Sequence, residues 1–240
     1  MADTYPDLAH VTDWVFDLDN TLYPARTVFP EIDRRMTQFV AGYLGIDEDA
    51  ALAIQKDYYA RHGTTLKGMM DAHGMAPGGF LFHVHEVDLS GVPRCDLLAG
   101  SIARLEGRKY IYTNGSKRHA DRMATHLGID HLLDGLTGIE DTRYHPKPDL
   151  RSYMAFCDTH GVDPDRAVFF DDMARNLLPA HELGFTTVLV RSHDRPPGEP
   201  ERACHRPDGG EAAPHVHYVT TDLAAFLERA AAWKKPNGKE

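Results

Sequence analysis

Four short stretches of this sequence carry side chains able to hold a cation and a phosphate. Asp17-Leu18-Asp19-Asn20 follows the apolar run Trp14-Val15-Phe16, Thr113-Asn114 follows Tyr110-Ile111-Tyr112, and Asp171-Asp172 follows Ala167-Val168-Phe169-Phe170. Lys147 lies between Pro146 and Pro148. Acidic residues often do no more than terminate a strand. Here three apolar runs end in carboxylates, a hydroxyl and an amide, with one ammonium placed elsewhere to balance them. Crowded carboxylates repel unless a hard divalent cation offsets them, and oxygen ligands without cysteine or histidine suit Mg²⁺. A Mg²⁺ site that also holds a lysine and a hydroxyl suits a phosphate group.

The elements that must position these residues are legible from periodicity. Residues 14–16 read as a buried strand ending in carboxylates. Phe29, Ile32, Met36, Phe39, Val40 and Tyr43 recur at three- and four-residue spacing, which defines one helical face. Asp47 precedes a second such run, 52–59, closed by Gly63, and no parallel-sheet strand is expected between 29 and 89. After residue 93 strand and helix alternate. Strands are expected at 110–112, 136–139, 167–170 and 186–190. Helices are expected from Ser116 to about Gly128, after Asp149 to about Gly161, and over 176–183 before Gly184. Such alternation implies parallel strands with right-handed crossovers in a layered α/β sheet, where ligands bind at the C-terminal strand ends. Residues 222–233 have helical spacing and are expected to pack on the sheet, with 234–240 a solvated tail.

Composition narrows the function classes. A chain of 240 residues with 42% hydrophobic content can build one core plus a satellite domain. Lys and Arg number 26 against 36 Asp and Glu, and the net charge of −10 disfavours a nucleic-acid polymer as partner. No apolar run is long enough to span a bilayer, and Met1-Ala2-Asp3-Thr4-Tyr5-Pro6 lacks the pattern of a signal peptide. Three cysteines, without CxxC spacing, fit a reducing compartment. A cytoplasmic protein with no membrane partner is expected.

Asp17-Leu18-Asp19-Asn20-Thr21, Thr113-Asn114-Gly115, Lys147 and Asp171-Asp172-Met173-Ala174-Arg175-Asn176 resemble, in order, the four motifs of the haloacid dehalogenase superfamily. The resemblance implies a doubly wound, mainly parallel Rossmann-like sheet with an inserted α-helical cap between the first two motifs. The cap is placed at 24–93 and the core at 1–23 and 94–240. By the same resemblance Asp17 is the nucleophile that forms an aspartyl-phosphate, and Asp19 is the acid that protonates the leaving oxygen and then activates water. Thr113 and the Asn114 amide hold the phosphoryl oxygens, and Lys147 balances charge on the nucleophile. Asp17, Asp19, Asp171 and Asp172 form the Mg²⁺ set, Asp19 through its backbone carbonyl, with Asn176 in support. Dehalogenases of the superfamily expel a halide, which needs no proton, so an acid at position 19 favours a phosphate ester.

Tyr58-Tyr59-Ala60-Arg61-His62-Gly63-Thr64-Thr65-Leu66-Lys67-Gly68 and Val84-His85-Glu86-Val87-Asp88 resemble cap segments of the pyrimidine 5′-nucleotidase subfamily. That implies hydrolysis of UMP- or CMP-like monophosphates, with Arg61, His62, Lys67 and His85 as contacts to phosphate, ribose or base. The plainer reading makes these residues a solvated face and Tyr58 and Tyr59 core. The glycine-flanked stretch 63–68 reads as a recognition loop. Other small phosphometabolites, such as a sugar phosphate or phosphoglycolate, and a phosphomutase reaction remain alternatives. So does a non-enzymatic phosphate-binding module or phosphorelay receiver, although receivers are about half this length and lack a long helical insert. The expected partner is a small phosphorylated metabolite and the expected state a monomer or homodimer. Residues 191–217, with Cys204, His205, His215 and His217, read as a surface loop rather than a metal site. Cys157 reads as a small core residue, and His145 as a neighbour of the site without a catalytic role.

Overall fold

The computed structural model describes residues 7–191 and 213–234. Most of the proposed surface loop, including Cys204 and His205, and the tail beyond Lys234 lie outside the described residues. Six strands form one sheet: β1 (Asp13–Phe16), β2 (Arg108–Tyr112), β3 (Gly135–Thr137), β4 (Ala167–Asp171), β5 (Thr186–Val190) and β6 (Tyr218–Thr220). Their order is β3-β2-β1-β4-β5-β6 and every pairing is parallel, the expected doubly wound sheet.

The chain winds outward from β1 through β2 to β3, then returns to β4 and winds the other way. The switch therefore falls between β1 and β4, where a crevice opens at the C-terminal strand ends. Phe16 is level with Ile111 on one side and Phe170 on the other. The next residues, Asp17, Tyr112 and Asp171, consequently leave the sheet side by side. Alternation along β1 sends Trp14 and Phe16 into one core layer and Val15 into the other. Phe16 stacks on Phe170 at 4.9 Å between ring centroids, and Tyr112 stacks on Phe156 at 5.0 Å across the opposite face.

Helices α1 (Phe29–Leu44), α2 (Glu48–His62), α3 (Thr65–His73) and α4 (Pro77–His85) form the insert between β1 and β2. Five further helices follow: α5 (Asp96–Ala103), α6 (Lys117–Leu127), α7 (Leu150–His160), α8 (Ala174–Leu183) and α9 (Leu223–Lys234). Their ends follow side-chain chemistry. Asp47 accepts from the Ala50 amide at 2.8 Å to start α2, Ser116 from His119 at 3.2 Å to start α6, and Asp149 from Arg151 at 3.0 Å to start α7. Helix α9 packs on the sheet as expected, with Phe226 edge-on to Phe170. No helix among the described residues is long and apolar enough to cross a membrane.

Two sequence expectations are corrected. The stretch 63–68 is not a loop: Gly63 closes α2, Thr64 caps α3 by accepting from the Lys67 amide, and Gly68 lies inside α3. A Cβ at Gly68 would stand 2.4 Å from the Tyr58 side chain, so glycine is there for close helix packing, and Tyr58 is buried rather than open to a base. The strand expected at 136–139 ends at Thr137, because the Gly138 amide turns to Asp141 and the Ile139 amide to the Gly115 carbonyl.

Candidate functional site

Strand ends carry the aspartates and Thr113 to the crevice. Asp17 follows β1, with its amide bonded to the Phe170 carbonyl of β4 at 2.8 Å. Thr113 follows β2, Asp171 ends β4, and Asp172 leads into α8. Lys147 arrives from the β3–α7 connection. Its backbone is held by Asn114, whose Oδ1 accepts from the Lys147 amide at 2.7 Å and whose Nδ2 donates to the Lys147 carbonyl at 3.1 Å. The Asn114 side-chain amide is thus oriented by Lys147, with one Nδ2 proton and the Oδ1 atom engaged.

The Lys147 ammonium is 2% exposed. It donates to Asp17 Oδ1 at 2.8 Å, Asp171 Oδ2 at 2.8 Å and the Tyr112 carbonyl at 3.0 Å, which fills its three donor positions. Asp171 is tied down further by the Met173 amide at 2.8 Å and by Asn176 Nδ2 at 3.0 and 3.1 Å to its two oxygens. Thr21 donates to Asp17 Oδ2 at 3.2 Å, and the Thr113 hydroxyl accepts from the Gly115 amide at 3.0 Å.

The electrostatics of the cluster are unbalanced. Burial pushes the Asp17 carboxyl well above its ordinary pKa, and Asp171, Asp172 and Asp19 add to that while Lys147 opposes it. Burial alone would lower the Lys147 ammonium, but Asp17 and Asp171 outweigh it and hold the amine protonated. Asp17, Asp171 and Asp172 bring one carboxylate oxygen each within 4.8 Å of the others. Three carboxylates thus converge beside one ammonium, and Asp17 is raised in spite of it. An all-oxygen donor set in that condition fits a hard divalent cation.

Asp19 stands apart from those three carboxylates. Its Oδ1 accepts a short hydrogen bond from the Tyr23 hydroxyl and faces His119 Nε2 at 3.8 Å. Burial would raise its pKa, but His119, Tyr23 and the more distant His85 together hold it below the usual carboxylate range. Asp19 is thus held ionised, the state of a base; to serve as an acid it must first gain a proton. His85 is kept neutral, its pKa brought down to about 3 by burial and by the adjacent His119.

The residues expected on the insert are not gathered at Asp17. Arg61 pairs with Asp57, Lys67 with Asp71, and His62 with Asp71 at 3.3 Å. Arg61, His62 and Lys67 line a groove of about 450 Å³ at the seam between the insert and the core, bordered by Pro146, Pro148 and Arg175. Asp17 does not line it. His145 lies 3.4 Å from Asp149 and has no contact with the carboxylate cluster. Cys157 is partly buried against the core layer of Tyr153 and Phe156.

Sequence reasoning missed Tyr23, His119 and the Tyr59–Arg175 contact. Arg175 Nη2 donates to the Tyr59 hydroxyl at 2.7 Å, and its guanidinium lies 5.3 Å from the Tyr59 ring centroid. That contact joins α2 of the insert to the first turn of α8. Tyr23, four residues after Asp19, and Arg175, three after Asp172, lie within or beside the motifs and could have been found from that proximity.

Known proteins give the same frame. Residues 15–184 match the family model described as haloacid dehalogenase-like hydrolase. Phosphate metabolism protein 8 of Saccharomyces cerevisiae is 28% identical over 72% of this chain, and the match spans 60% of that protein's length. An enolase-phosphatase E1 of a Bradyrhizobium species is 28% identical over 72% of this chain and 73% of its own. Among solved structures, an L-2-haloacid dehalogenase from Xanthobacter autotrophicus superposes with a TM-score of 0.59 at 15% identity, covering 92% of this chain and 99% of that one, a likeness of fold alone. With the family model spanning every strand-end motif, the chain belongs to the haloacid dehalogenase-like hydrolases.

Proposed function

We propose that the protein is a Mg²⁺-dependent phosphomonoesterase for a small phosphorylated metabolite, acting through an aspartyl-phosphate on Asp17. The observation that carries this reading is the convergence of one carboxylate oxygen each from Asp17, Asp171 and Asp172 within 4.8 Å, with the Asp17 carboxyl raised well above its ordinary pKa in spite of Lys147. A divalent cation would offset that crowding and give a phosphate dianion a counter-charge, whereas a halide displacement requires neither. The phosphate metabolism protein and the enolase-phosphatase named above are relatives whose names include phosphate chemistry, and they support the same class.

In this reading Asp17, Asp172 and the Asp19 carbonyl hold the cation, with Asp171 and Asn176 behind them. The cation, when bound, screens the negative charge between carboxylate and phosphate. Asp19 first takes up a proton from water or from the entering monoester; Asp17 then attacks phosphorus, a P–O bond forms to its carboxylate, and the bond to the leaving oxygen breaks as that oxygen takes the proton from Asp19. Asp19, now ionised, removes a proton from water whose oxygen attacks phosphorus, so Asp17 is released with inorganic phosphate and Asp19 regains its proton. Lys147 favours the ionised form of Asp17 and orients it, and Thr113 with the Asn114 amide binds the transferring oxygens.

The helical insert, 24–93, acts as the cap that sets substrate choice. Pyrimidine nucleoside 5′-monophosphates are the leading substrates, on the resemblance of 58–68 and 84–88 to that subfamily. Phosphate release from UMP, CMP, phosphoglycolate and sugar phosphates, each with Mg²⁺ and with excess chelator, tests both levels. Release that needs Mg²⁺ and favours UMP and CMP supports the full proposal. Release led by another ester retains the phosphatase and removes the nucleotidase, and no release from any ester removes both.

A further inference from the structure

The acid Asp19 is served by a histidine pair that the motifs do not include. His119 lies in the first turn of α6, is 1% exposed, and has no hydrogen-bond partner for either ring nitrogen among the described residues. His85, the last residue of α4 in the insert, stacks on it with ring centroids 4.8 Å apart and planes 22° apart. Buried imidazole nitrogens are costly to leave unmatched, so a purely space-filling role would be met better by an apolar ring. The Nε2 atom of His119 instead stands 3.8 Å from Asp19 Oδ1, just beyond hydrogen-bond length.

The surroundings fix this arrangement from both sides. The Ser116 hydroxyl accepts from the His119 amide and sets the start of α6. Arg122, one turn further along α6, donates to the His85 carbonyl at 3.0 Å and to the Val87 carbonyl at 2.9 Å, and Arg118 pairs with Glu86 at 2.6 Å. The end of the insert is therefore bound to the helix that presents His119. On the other side Tyr23 binds the same oxygen, Oδ1, while Oδ2 has no hydrogen bond among the described residues and lies 3.9 Å from where a Gly115 side chain would begin. One carboxylate oxygen is held and the other is left to exchange a proton.

We propose that His119, backed by His85 from the insert, is a positioning residue that fixes the Asp19 carboxyl for proton transfer to the leaving group, so that seating of the insert and orientation of the acid are one event. This rests on the phosphomonoesterase reading above. His85 acts through His119 and touches neither the ester nor the reacting atoms.

The test compares kcat/KM, which reports formation of the aspartyl-phosphate, on two esters with Mg²⁺. UMP has a poor alkoxide leaving group that needs a proton, and p-nitrophenyl phosphate has a good one that does not. His119→Leu is expected to lose at least about tenfold more on UMP than on p-nitrophenyl phosphate, and His119→Asn, which restores a donor, to recover part of the difference. His85→Ala should show the same selective loss to a smaller extent and His85→Phe, which keeps the stack, should not. The His85 pair also gives the comparison should His119→Leu fail to fold. Equal losses on both esters, or none, would overturn the positioning role while leaving the phosphatase reading intact. If wild type does not turn over UMP, the natural ester with the fastest release in the panel above takes its place, and no release from any ester would overturn the phosphatase reading and this role with it.

Discussion

The strand-end cluster and the insert groove both collect charged residues, yet they satisfy them in opposite ways. Lys147 finds Asp17 across 130 residues of sequence and is almost fully buried, with an acceptor for each of its protons. Arg61 and Lys67 each pair with an acid four residues away on the same helix, and the Arg61 side chain is 60% exposed. A helix supplies the second kind of pair without any tertiary fold. The first kind exists only because the sheet register places β1, β2 and β4 side by side. Charge gathered over long sequence distances at the cost of desolvation marks the working site more reliably than charge density does.

That contrast can be broken most directly at Asp17. Asp17→Asn is expected to reduce phosphate release by at least about a thousandfold. Its folded-state pKa is raised, so ionised Asp17 withdraws stability as pH rises above the ordinary carboxylate range, and the amide should melt at or above the wild-type temperature at neutral pH. A melting point well below wild type would contradict the raised Asp17 pKa. Lys147→Met leaves two buried carboxylates facing each other and should cost about 3–5 kcal/mol, roughly 10 °C in a thermal melt, along with activity. A near-normal melt would make Lys147 an ordinary surface-like cation.

Gly63→Ala tests the seam between the two regions. Gly63 has φ of 81°, and a Cβ there would lie 3.3 Å from Pro146 in the Lys147 turn. A loss of about 1 kcal/mol is expected in denaturant unfolding, with some loss of turnover through Lys147. Stability unchanged by the alanine would separate insert and turn. The smallest effects belong to the groove: Arg61→Ala and Lys67→Ala should leave the melting temperature within about a degree. A tenfold rise in KM for UMP in either variant would convert the groove from a solvated face into a substrate contact and narrow the contrast.

Legibility in the sequence follows the same division. Apolar runs ending abruptly in Asp17, Thr113 and Asp171 announced buried parallel strands, and Asp47, Ser116 and Asp149 announced helix starts, because those signals are local. Gly68 misled because glycine is unfavourable inside a helix, and only the Tyr58 ring packed against it explains why it is there. Likewise nothing local distinguishes His119 from other helix-surface histidines. Its partner Asp19 lies a hundred residues upstream, and the stack with His85 needs the insert to be folded back. Asn114 was recognised as part of a motif, but its grip on the Lys147 backbone depends on how the β3–α7 connection returns to β2.

The tightness of the strand-end cluster also sets a kinetic requirement. Asp17 is 7% exposed, Thr113 1% and Lys147 2%, and the Tyr59–Arg175 contact spans insert and core beside them. In the proposed reaction an ester must find room at Asp17, and parting of the Tyr59–Arg175 contact is a movement that would make it. Tyr59→Phe, which removes the hydroxyl that Arg175 donates to, tests this: faster capture of ester with weaker retention of product is expected where the seam limits entry, and unchanged rates would show that it does not.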